Sequence, residues 1–331
     1  MAAKPETRVG IDLSDNGFRV VAIRLRSHCR SLDAPELKIE CLHRVVESTP
    51  YIGTDIAAYL DVFASRLPRC ATRGGVAASI AVPPCLQSLR CVPSSQLNEA
   101  ERGIADELGG AVQCRSWQVG SQKSMICGVR SDVAEALVTI LGDSGYRCES
   151  ILPRSVAVAR TLLASVKSAN GSAIILCWNR DRSLVTTLHD RTIRLCRELV
   201  TDEETSATNP RDEATPRSAS TEDRLSQIAY DLANETILTL QHAHRLDHRM
   251  TPSPVMICGE MSSFPGAIEQ LNAAMDSLIG IQVEPWIIPV DDIAANGLCD
   301  ACDRANTVAI SLAIGGSRVA IDSLLAGGKA Q

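Results

Sequence analysis

The most informative stretch of this chain is Gly10-Ile11-Asp12-Leu13-Ser14-Asp15-Asn16-Gly17-Phe18-Arg19. It joins an apolar run, Arg8–Leu13, to a second run rich in Val and Ile, Phe18–Leu25, through the polar turn Ser14–Gly17. Short apolar runs separated by Ser, Asp, Asn and Gly are typical of a β-hairpin. Because Leu37–Val46 is a third strand candidate, the stretch predicts a β-meander.

The same pattern occurs again in the second half of the chain. The three strand candidates there are Ser172–Cys177, Ser183–Leu188 and Arg191–Val200, with polar turns between them. A meander followed by alternating helices and strands, present twice, predicts two related α/β halves. The helix and strand that follow each meander are Ile56–Leu67 and Ala77–Val82 in the first half, and Glu222–His248 and Val255–Cys258 in the second.

A block of different character, about residues 85–145, lies between the halves. Its pattern predicts a compact α+β insertion with two helices, Asn98–Leu108 and Ser131–Asp143. Asn98 with Glu101 fits a capping box, and Ser131 fits an N-cap. The strands of the insertion are Leu86–Val92, Gln113–Val119 and Lys123–Val129. Most of the residues Leu86, Leu89, Val92 and Leu97 are expected to be core residues, although they could equally line a groove between the first domain and the insertion.

These elements give the domain organisation. Domain 1 spans residues 1–170 and contains the insertion, domain 2 spans 171–304, and a C-terminal helix within 305–325 returns to domain 1. Residues 201–220 contain no large apolar side chain and predict a mobile loop.

The composition excludes several classes of function. A formal net charge of −6 does not favour binding to nucleic acid, and 3% aromatic residues are too few for a base-stacking surface. No apolar segment reaches the roughly 18 residues of a membrane span, and Met1–Thr7 lacks the apolar region of a secretory signal. The 13 cysteines lie mostly in apolar runs, and we expect reduced thiols in a cytoplasmic protein.

The first turn carries the best candidate chemistry. Its backbone N–H groups could bind a phosphate, with Arg19 as the counter-charge and Asp12 holding Mg²⁺ through water. An ordinary hairpin, with Asp and Asn chosen for turn geometry, explains the same residues equally well.

A second candidate lies where the strand Val255–Cys258 ends in Gly259. A glycine there would let a ligand approach the backbone closely, with Ser262 or Ser263 capping a helix that begins at Pro265. A plain strand-to-helix turn is the alternative.

Taken in order, these motifs resemble the actin-like ATPases and, among them, the PilM family of type IV pilus assembly proteins, which is related to FtsA. The matching stretches run nearly end to end: Gly10–Arg19, Ala81-Val82-Pro83 with Leu97–Glu101, Ile151–Leu163, Ser172–Leu188, Val255–Leu271 with Phe264-Pro265-Gly266, and Asn306–Gly315. The resemblance implies a duplicated ribonuclease H-like fold with an inserted subdomain that serves association. It also implies ATP or ADP with Mg²⁺, bound by Asp12, Ser14, Asn16, Gly17, Arg19, Asn179 and Gly259, with Asp12 as the metal ligand.

The chain departs from the family pattern at both phosphate loops. Ser14 stands where the first loop usually has Gly, and Cys177 stands where the second usually has an acid. Glu260 replaces the second Gly of the adenosine loop. Since metal-assisted attack on a phosphate depends on placed charge, these changes predict weak nucleotide binding without hydrolysis.

The resemblance implies a cytoplasmic scaffold that is peripheral to the inner membrane, has no membrane span of its own and binds the tail of a PilN-like inner-membrane protein. Self-association is a further implication. Two alternatives remain open: an active ATPase or sugar kinase of the same superfamily, and a nucleotide-free relative of the secretion-system L-type proteins.

Two other constellations are weaker. Cys299 and Cys302 have the spacing of half a zinc site or of a redox pair, and His244 and His248 lie one helical turn apart. Because no second CxxC and no metalloprotease glutamate accompany them, coincidence and solvated positions are favoured over metal binding.

Overall fold

The computed structural model describes residues 6–15, 17–28, 36–49, 55–70, 75–118, 122–158, 172–179, 182–189, 192–200, 221–246, 248, 254–285, 291–292 and 307–315. The strands are β1 (Glu6–Ser14), β2 (Gly17–His28), β3 (Glu36–Ser48), β4 (Val76–Val82), β5 (Gln87–Pro93), β6 (Val112–Gln118), β7 (Lys123–Arg130), β8 (Tyr146–Pro153), β9 (Ser172–Cys177), β10 (Arg182–His189), β11 (Thr192–Val200), β12 (Val255–Cys258), β13 (Val283–Pro285) and β14 (Asp291–Asp292). The helices are α1 (Ile56–Arg66), α2 (Leu97–Leu108), α3 (Ser131–Asp143), α4 (Thr221–Leu246), α5 (Ala267–Ile279) and α6 (Thr307–Gly315).

The first large sheet is a meander extended by parallel strands. Its order is β14-β3-β2-β1-β4-β8, with β1, β2 and β3 antiparallel and β4 and β8 parallel to β1. The last pair of the hairpin between β1 and β2 joins Ser14 to Gly17. This confirms the turn that the polar residues predict.

The second large sheet repeats this topology. Its order is β11-β10-β9-β12-β13, with an antiparallel meander followed by two parallel strands. In both sheets the first strand of the meander is central, and the strand after the next helix pairs parallel to it. The two related α/β halves expected from the sequence are therefore confirmed, and β9 is the counterpart of β1.

The chain divides into two compact units. Unit 1 comprises Met1–Lys167, Pro289–Leu298 and Val308–Gln331, and unit 2 comprises Ser168–Ile288 and Cys299–Thr307. The chain therefore returns to unit 1 twice, once as the edge strand β14 beside β3 and once as α6.

The core of unit 1 follows the alternation of β1. Val9, Ile11 and Leu13 face a cluster that includes Tyr59 and Phe63 of α1. The opposite face of β1 carries Gly10, where α6 approaches so closely that a Cβ would lie 1.7 Å from the carbonyl oxygen of Ala309. A glycine is therefore required at this position, because any side chain would displace the helix.

The core of unit 2 likewise follows the alternation of its central strand, β9. Ile174, Leu176 and Trp178 alternate along and just beyond β9 and pack against α4 and α5. Cys177 and Cys258 are both buried, as expected for cysteines that serve as small core residues, whereas Cys91 is exposed.

The predicted insertion divides into two parts. Residues 84–130, which we call the lobe, form the antiparallel sheet β5-β7-β6 covered by α2. The lobe has a small core of its own, in which Ile104 of α2 lies directly over Gly128 of β7. In contrast, α3 packs its buried side chains into the core of the first large sheet, so it belongs to that half rather than to the lobe.

Polar contacts also tie α2 to the lobe sheet. Glu107 accepts hydrogen bonds from Ser88 Oγ at 2.7 Å and from Arg90 Nη2 at 2.6 Å. Arg90 Nη2 also donates to the carbonyl oxygen of Gly103 at 3.2 Å. Leu86 and Leu89 pack in the unit 1 core, and Val92 and Leu97 pack in the lobe core, as the core interpretation predicts.

The predicted helix caps are wrong in three places. The residue before α2 is Gln96, at the end of a 3₁₀ turn, so Asn98 lies inside the helix instead of capping it. Ser131 is the first residue of α3 and not its cap. Before α5 the chain needs a left-handed residue, which Gly266 supplies with φ of 78°, and Ser262 instead donates to the carbonyl oxygen of Gly259.

The last helix, α6, begins at Thr307, within the predicted 305–325, and β13 is a short strand of three residues, Val283–Pro285. The predicted mobile loop at 201–220 lies outside the described residues.

Candidate functional site

The β1–β2 hairpin, which the sequence marks as a phosphate loop, places its charged side chains opposite one another. Asp12 pairs with Arg19 in the strand register, two residues before the strands end at Ser14 and Gly17. Asp12 is 2% exposed. Asn16, the remaining candidate of this loop, lies outside the described residues.

The carboxylate of Asp12 is held by two guanidinium groups. Its Oδ1 accepts a hydrogen bond from Arg154 Nε at 2.9 Å, and its Oδ2 lies 3.9 Å from Arg19 Nη1. Arg154 Nη2 also donates to the carbonyl oxygen of Leu13 at 2.9 Å. A buried carboxylate is stable when it is paired and hydrogen-bonded, and Arg154 provides both.

The turn itself is fastened by α1. The buried hydroxyl of Tyr59 lies 3.0 Å from the carbonyl oxygen of Ser14 and 2.7 Å from that of Gly17, and it shares its proton between them. Ser14 Oγ donates to the same Gly17 oxygen at 3.0 Å. Burial, together with the nearby charge of Asp12, raises the pKa of Tyr59, so the phenol is a permanent donor.

The packing of β2 against β3 explains why residue 17 is a glycine. A Cβ at this position would lie 2.5 Å from the carbonyl oxygen of Glu47 on β3. The glycine therefore allows β2 and β3 to pair where the hairpin begins.

In unit 2, the ends of β9 and β12 are connected to each other. Trp178 N–H donates to the carbonyl oxygen of Cys258 at 2.8 Å, and Met261 N–H donates to the Trp178 carbonyl at 3.0 Å. Asn179 Oδ1 accepts from Glu260 N–H at 3.2 Å, and its Nδ2 donates to Cys177 Sγ at 3.5 Å. The candidate residues Asn179 and Gly259 therefore lie on two adjacent segments that are hydrogen-bonded to each other.

The space beside Gly259 is filled by the protein. Its φ is 98°, and a Cβ would lie 2.5 Å from the carbonyl oxygen of Trp178 and 2.8 Å from its nitrogen. The close approach that this glycine permits is therefore that of the neighbouring loop. The departure at Cys177 fits this arrangement, because its side chain and that of the neighbouring Trp178 are both buried in the unit.

Three residues that organise these loops are absent from the site predicted from the sequence: Arg154, Tyr59 and Trp178. The signal for Arg154 is its position directly after the apolar run Ile151–Pro153, as one of the two arginines in the stretch from Ile151 to Leu163. Tyr59 and Trp178 are two of the few aromatic residues in the chain, which is a reason to expect each at a large packing position.

Metal binding elsewhere has little support among the described residues, where no group of three His, Cys, Asp or Glu side chains could hold an ion. His244 and His248 approach with ring centroids 5.5 Å apart in an edge-to-face arrangement, and both are exposed. Cys299 and Cys302 lie outside the described residues. Within the described part of the chain, no helix has the length and apolar character needed to cross a membrane.

The described geometry also tests whether Mg²⁺ fits Asp12, the metal ligand that the resemblance implies. Mg²⁺ requires near-octahedral oxygen ligands and usually keeps several waters. The Asp12 oxygens are almost fully buried and already face two cations. Mg²⁺ at Asp12 therefore does not fit this arrangement.

Comparisons with known proteins support the fold. No family model matches the chain, and no curated protein is significantly similar to it. A solved PilM–PilN complex of type IV pilus biogenesis matches with a TM-score of 0.58 and 16% identity, covering 96% of this chain and 98% of that one. A Bacteroides thetaiotaomicron protein described as having an actin-like ATPase fold matches with a TM-score of 0.45 and 11% identity, over 90% and 95% of the two chains.

The cytoplasmic domain of EpsL, an inner-membrane component of the Vibrio cholerae type II secretion system, matches with a TM-score of 0.40 and 11% identity, covering 93% of this chain and 95% of that one. The repeated strand order and the match to PilM agree on one architecture. The chain has the mixed α/β actin-like fold, with two mixed sheets and a small inserted antiparallel sheet.

Proposed function

We propose that this chain is a PilM-like cytoplasmic scaffold of a type IV pilus or related secretion machine, and that it binds the cytoplasmic tail of a PilN-like inner-membrane protein. The observation that carries the proposal is that both expected nucleotide loops are occupied by the protein's own groups. Arg154 pairs with the Asp12 carboxylate at the first loop, and the Trp178 backbone fills the space beside Gly259 at the second. Recognition of a partner by another surface is then the remaining role for the fold.

The nature of the partner is supported by the match to a PilM–PilN complex over nearly the whole of both chains. The lobe is the surface to which we assign the tail, because it adds a sheet, a helix and a small core to the duplicated fold. In this proposal the chain is cytoplasmic and reaches the inner membrane through its partner. Self-association through the same lobe belongs to the proposal.

Nucleotide has a limited part in the proposal. Any ATP or ADP that binds would not be hydrolysed. The second loop supports the absence of hydrolysis, since Cys177 is 1% exposed and offers no carboxylate to position a metal or a water molecule. An active ATPase or sugar kinase would need such a group.

The proposal is tested by titrating the full chain with synthetic peptides that correspond to the cytoplasmic tails of inner-membrane proteins encoded beside it. Isothermal calorimetry measures binding, and scrambled peptides of the same composition are the control. Hydrogen–deuterium exchange then locates the contact. We expect protection in residues 84–130 and unchanged exchange in α5 of unit 2.

Two results would count against the scaffold role. The first is the absence of binding by every such tail, and the second is protection confined to unit 2. Steady Mg²⁺-dependent turnover of ATP, measured by phosphate release, would favour the enzymatic alternative instead.

A further inference from the structure

The ion pair at the first hairpin has a consequence that does not depend on the scaffold role. Asp12 is buried, and each of its carboxylate oxygens is directed at a guanidinium group. The bond from Arg154 joins residues 142 positions apart in the chain, and the same side chain also holds the Leu13 carbonyl. Arg154 thus ties the end of β1 to the helical residues 154–158 that follow β8.

We infer that Arg154 acts as the resident cation of the first hairpin and excludes divalent metal ions from Asp12. A guanidinium keeps its charge at every accessible pH, so it cannot give way by losing a proton. A metal ion at Asp12 would have to break a buried charge-assisted hydrogen bond and lie beside both Arg154 and Arg19. Like charges at such distances in a buried site repel strongly.

The equivalent strand of the second half carries no carboxylate at its described end. The topological counterpart of β1 is β9, whose last residue is Cys177. Cys177 is buried and accepts a hydrogen bond from Asn179. A hard cation such as Mg²⁺ prefers oxygen ligands, which this thiol does not supply. The described end of β9 therefore offers a metal ion no carboxylate of its own.

The structure also implies how the site changes when Arg154 is removed. Arg154→Gln takes away the fixed charge and leaves the Asp12 carboxylate with Arg19 at the longer distance of 3.9 Å. A buried carboxylate that has lost its main partner gains from any cation that replaces it. The variant should therefore acquire the metal site that the natural chain excludes.

The experiment measures Mn²⁺ binding to the full chain by electron paramagnetic resonance, with Mn²⁺ alone as the probe. The proteins are the natural chain, Asp12→Asn, Arg154→Gln and the double variant Asp12→Asn/Arg154→Gln. We expect no Asp12-dependent binding by the natural chain. Arg154→Gln should bind at least about ten times more tightly, which corresponds to about 1.4 kcal/mol, and the double variant should lose that gain.

Thermal unfolding of the same four proteins with and without Mn²⁺ gives a second readout, since a ligand that binds only the native state raises its stability. Mn²⁺ binding by the natural chain that Asp12→Asn abolishes would overturn the inference. A folded Arg154→Gln protein that gains no Mn²⁺ binding would also overturn it. If Arg154→Gln does not fold, the natural chain and Asp12→Asn still decide the outcome.

Discussion

Replacing Gly10 with alanine tests how the C-terminal helix is attached to the first sheet. The added Cβ would lie 1.7 Å from the Ala309 carbonyl oxygen and 2.9 Å from the Ala313 nitrogen. Both atoms belong to the backbone of α6, so no rotation of a side chain relieves the clash. Since non-bonded heavy atoms normally stay about 3.5 Å apart, β1 or α6 must move by roughly 2 Å.

The size of the effect follows from what α6 buries. An overpacked core that yields locally costs about 1–3 kcal/mol. Complete release of α6 exposes Val308, Ile310 and Leu312, which are each at most 2% exposed. At about 2 kcal/mol for each side chain, that release costs about 6 kcal/mol. Because a backbone-to-backbone clash leaves little local room, we expect Gly10→Ala to lower the free energy of unfolding by about 3–6 kcal/mol.

Urea unfolding followed by circular dichroism measures this loss, and hydrogen–deuterium exchange of residues 307–315 locates it. The control is Gly142→Ala in α3, where an added Cβ meets nothing within 4 Å. An alanine in the last turn of a helix should leave stability unchanged or raise it by up to about 1 kcal/mol. A Gly10→Ala protein with the stability and the α6 exchange of the natural chain would refute the packing argument.

Three further predictions concern unit 2, the lobe and its thiols. Gly259→Ala should destabilise unit 2 by about 3 kcal/mol or more in urea unfolding, since it adds a clash to a strained φ of 98°. The control is Gly280→Ala, which should cost only about 1–2 kcal/mol, because Gly280 has a φ of 65° but open space around its Cβ position. Burial works against ionisation of Glu107, but its hydrogen bonds from the lobe sheet outweigh that effect and lower its pKa below 4.5. The ionised carboxylate therefore stabilises the lobe above pH 4.5, and this stabilisation is lost as the pH falls through the lowered pKa. Glu107→Gln should remove this part of the acid sensitivity, measured as hydrogen–deuterium exchange of the lobe. Burial raises the pKa of Cys127 to about 12, so iodoacetamide at pH 8 should label the exposed Cys91 first and leave Cys127 unmodified in the native chain; equal labelling rates would contradict the described packing.

The element pattern was predictable because it is local. Alternation of apolar residues in Arg8–Leu13 and in Ser172–Cys177 depends only on neighbours along the chain, and both became central strands. The polar residues Ser14–Gly17 correctly predicted the hairpin that follows the first of these strands. The predictions of the helix caps were wrong because a cap is not determined locally. The residue that precedes a helix depends on the path of the incoming chain. Gly266, and not a serine, satisfies that path before α5.

The positions of the candidate residues near strand ends could be predicted from the sequence, but their contacts could not, and their role in binding stays a prediction. Asp12, Gly17, Asn179 and Gly259 all lie at the ends of strands, where the motifs place them. Their partners come from distant parts of the chain, as with Arg154 at Asp12 and Glu260 at Asn179. Local sequence patterns do not predict which charged side chain pairs with a buried carboxylate.

By itself, the sequence determined two meanders, an inserted α+β block and the order of helices and strands, because hydrophobic periodicity specifies elements from short-range neighbours. Only the tertiary structure decided that α3 belongs to the first half rather than to the lobe, and that the loops bind groups of the protein itself. The physical reason is that burial of charge and close backbone approach depend on which elements meet. At Asp12 a cation from residue 154 meets the carboxylate, and at Gly259 the backbone of Trp178 occupies the space that a glycine leaves.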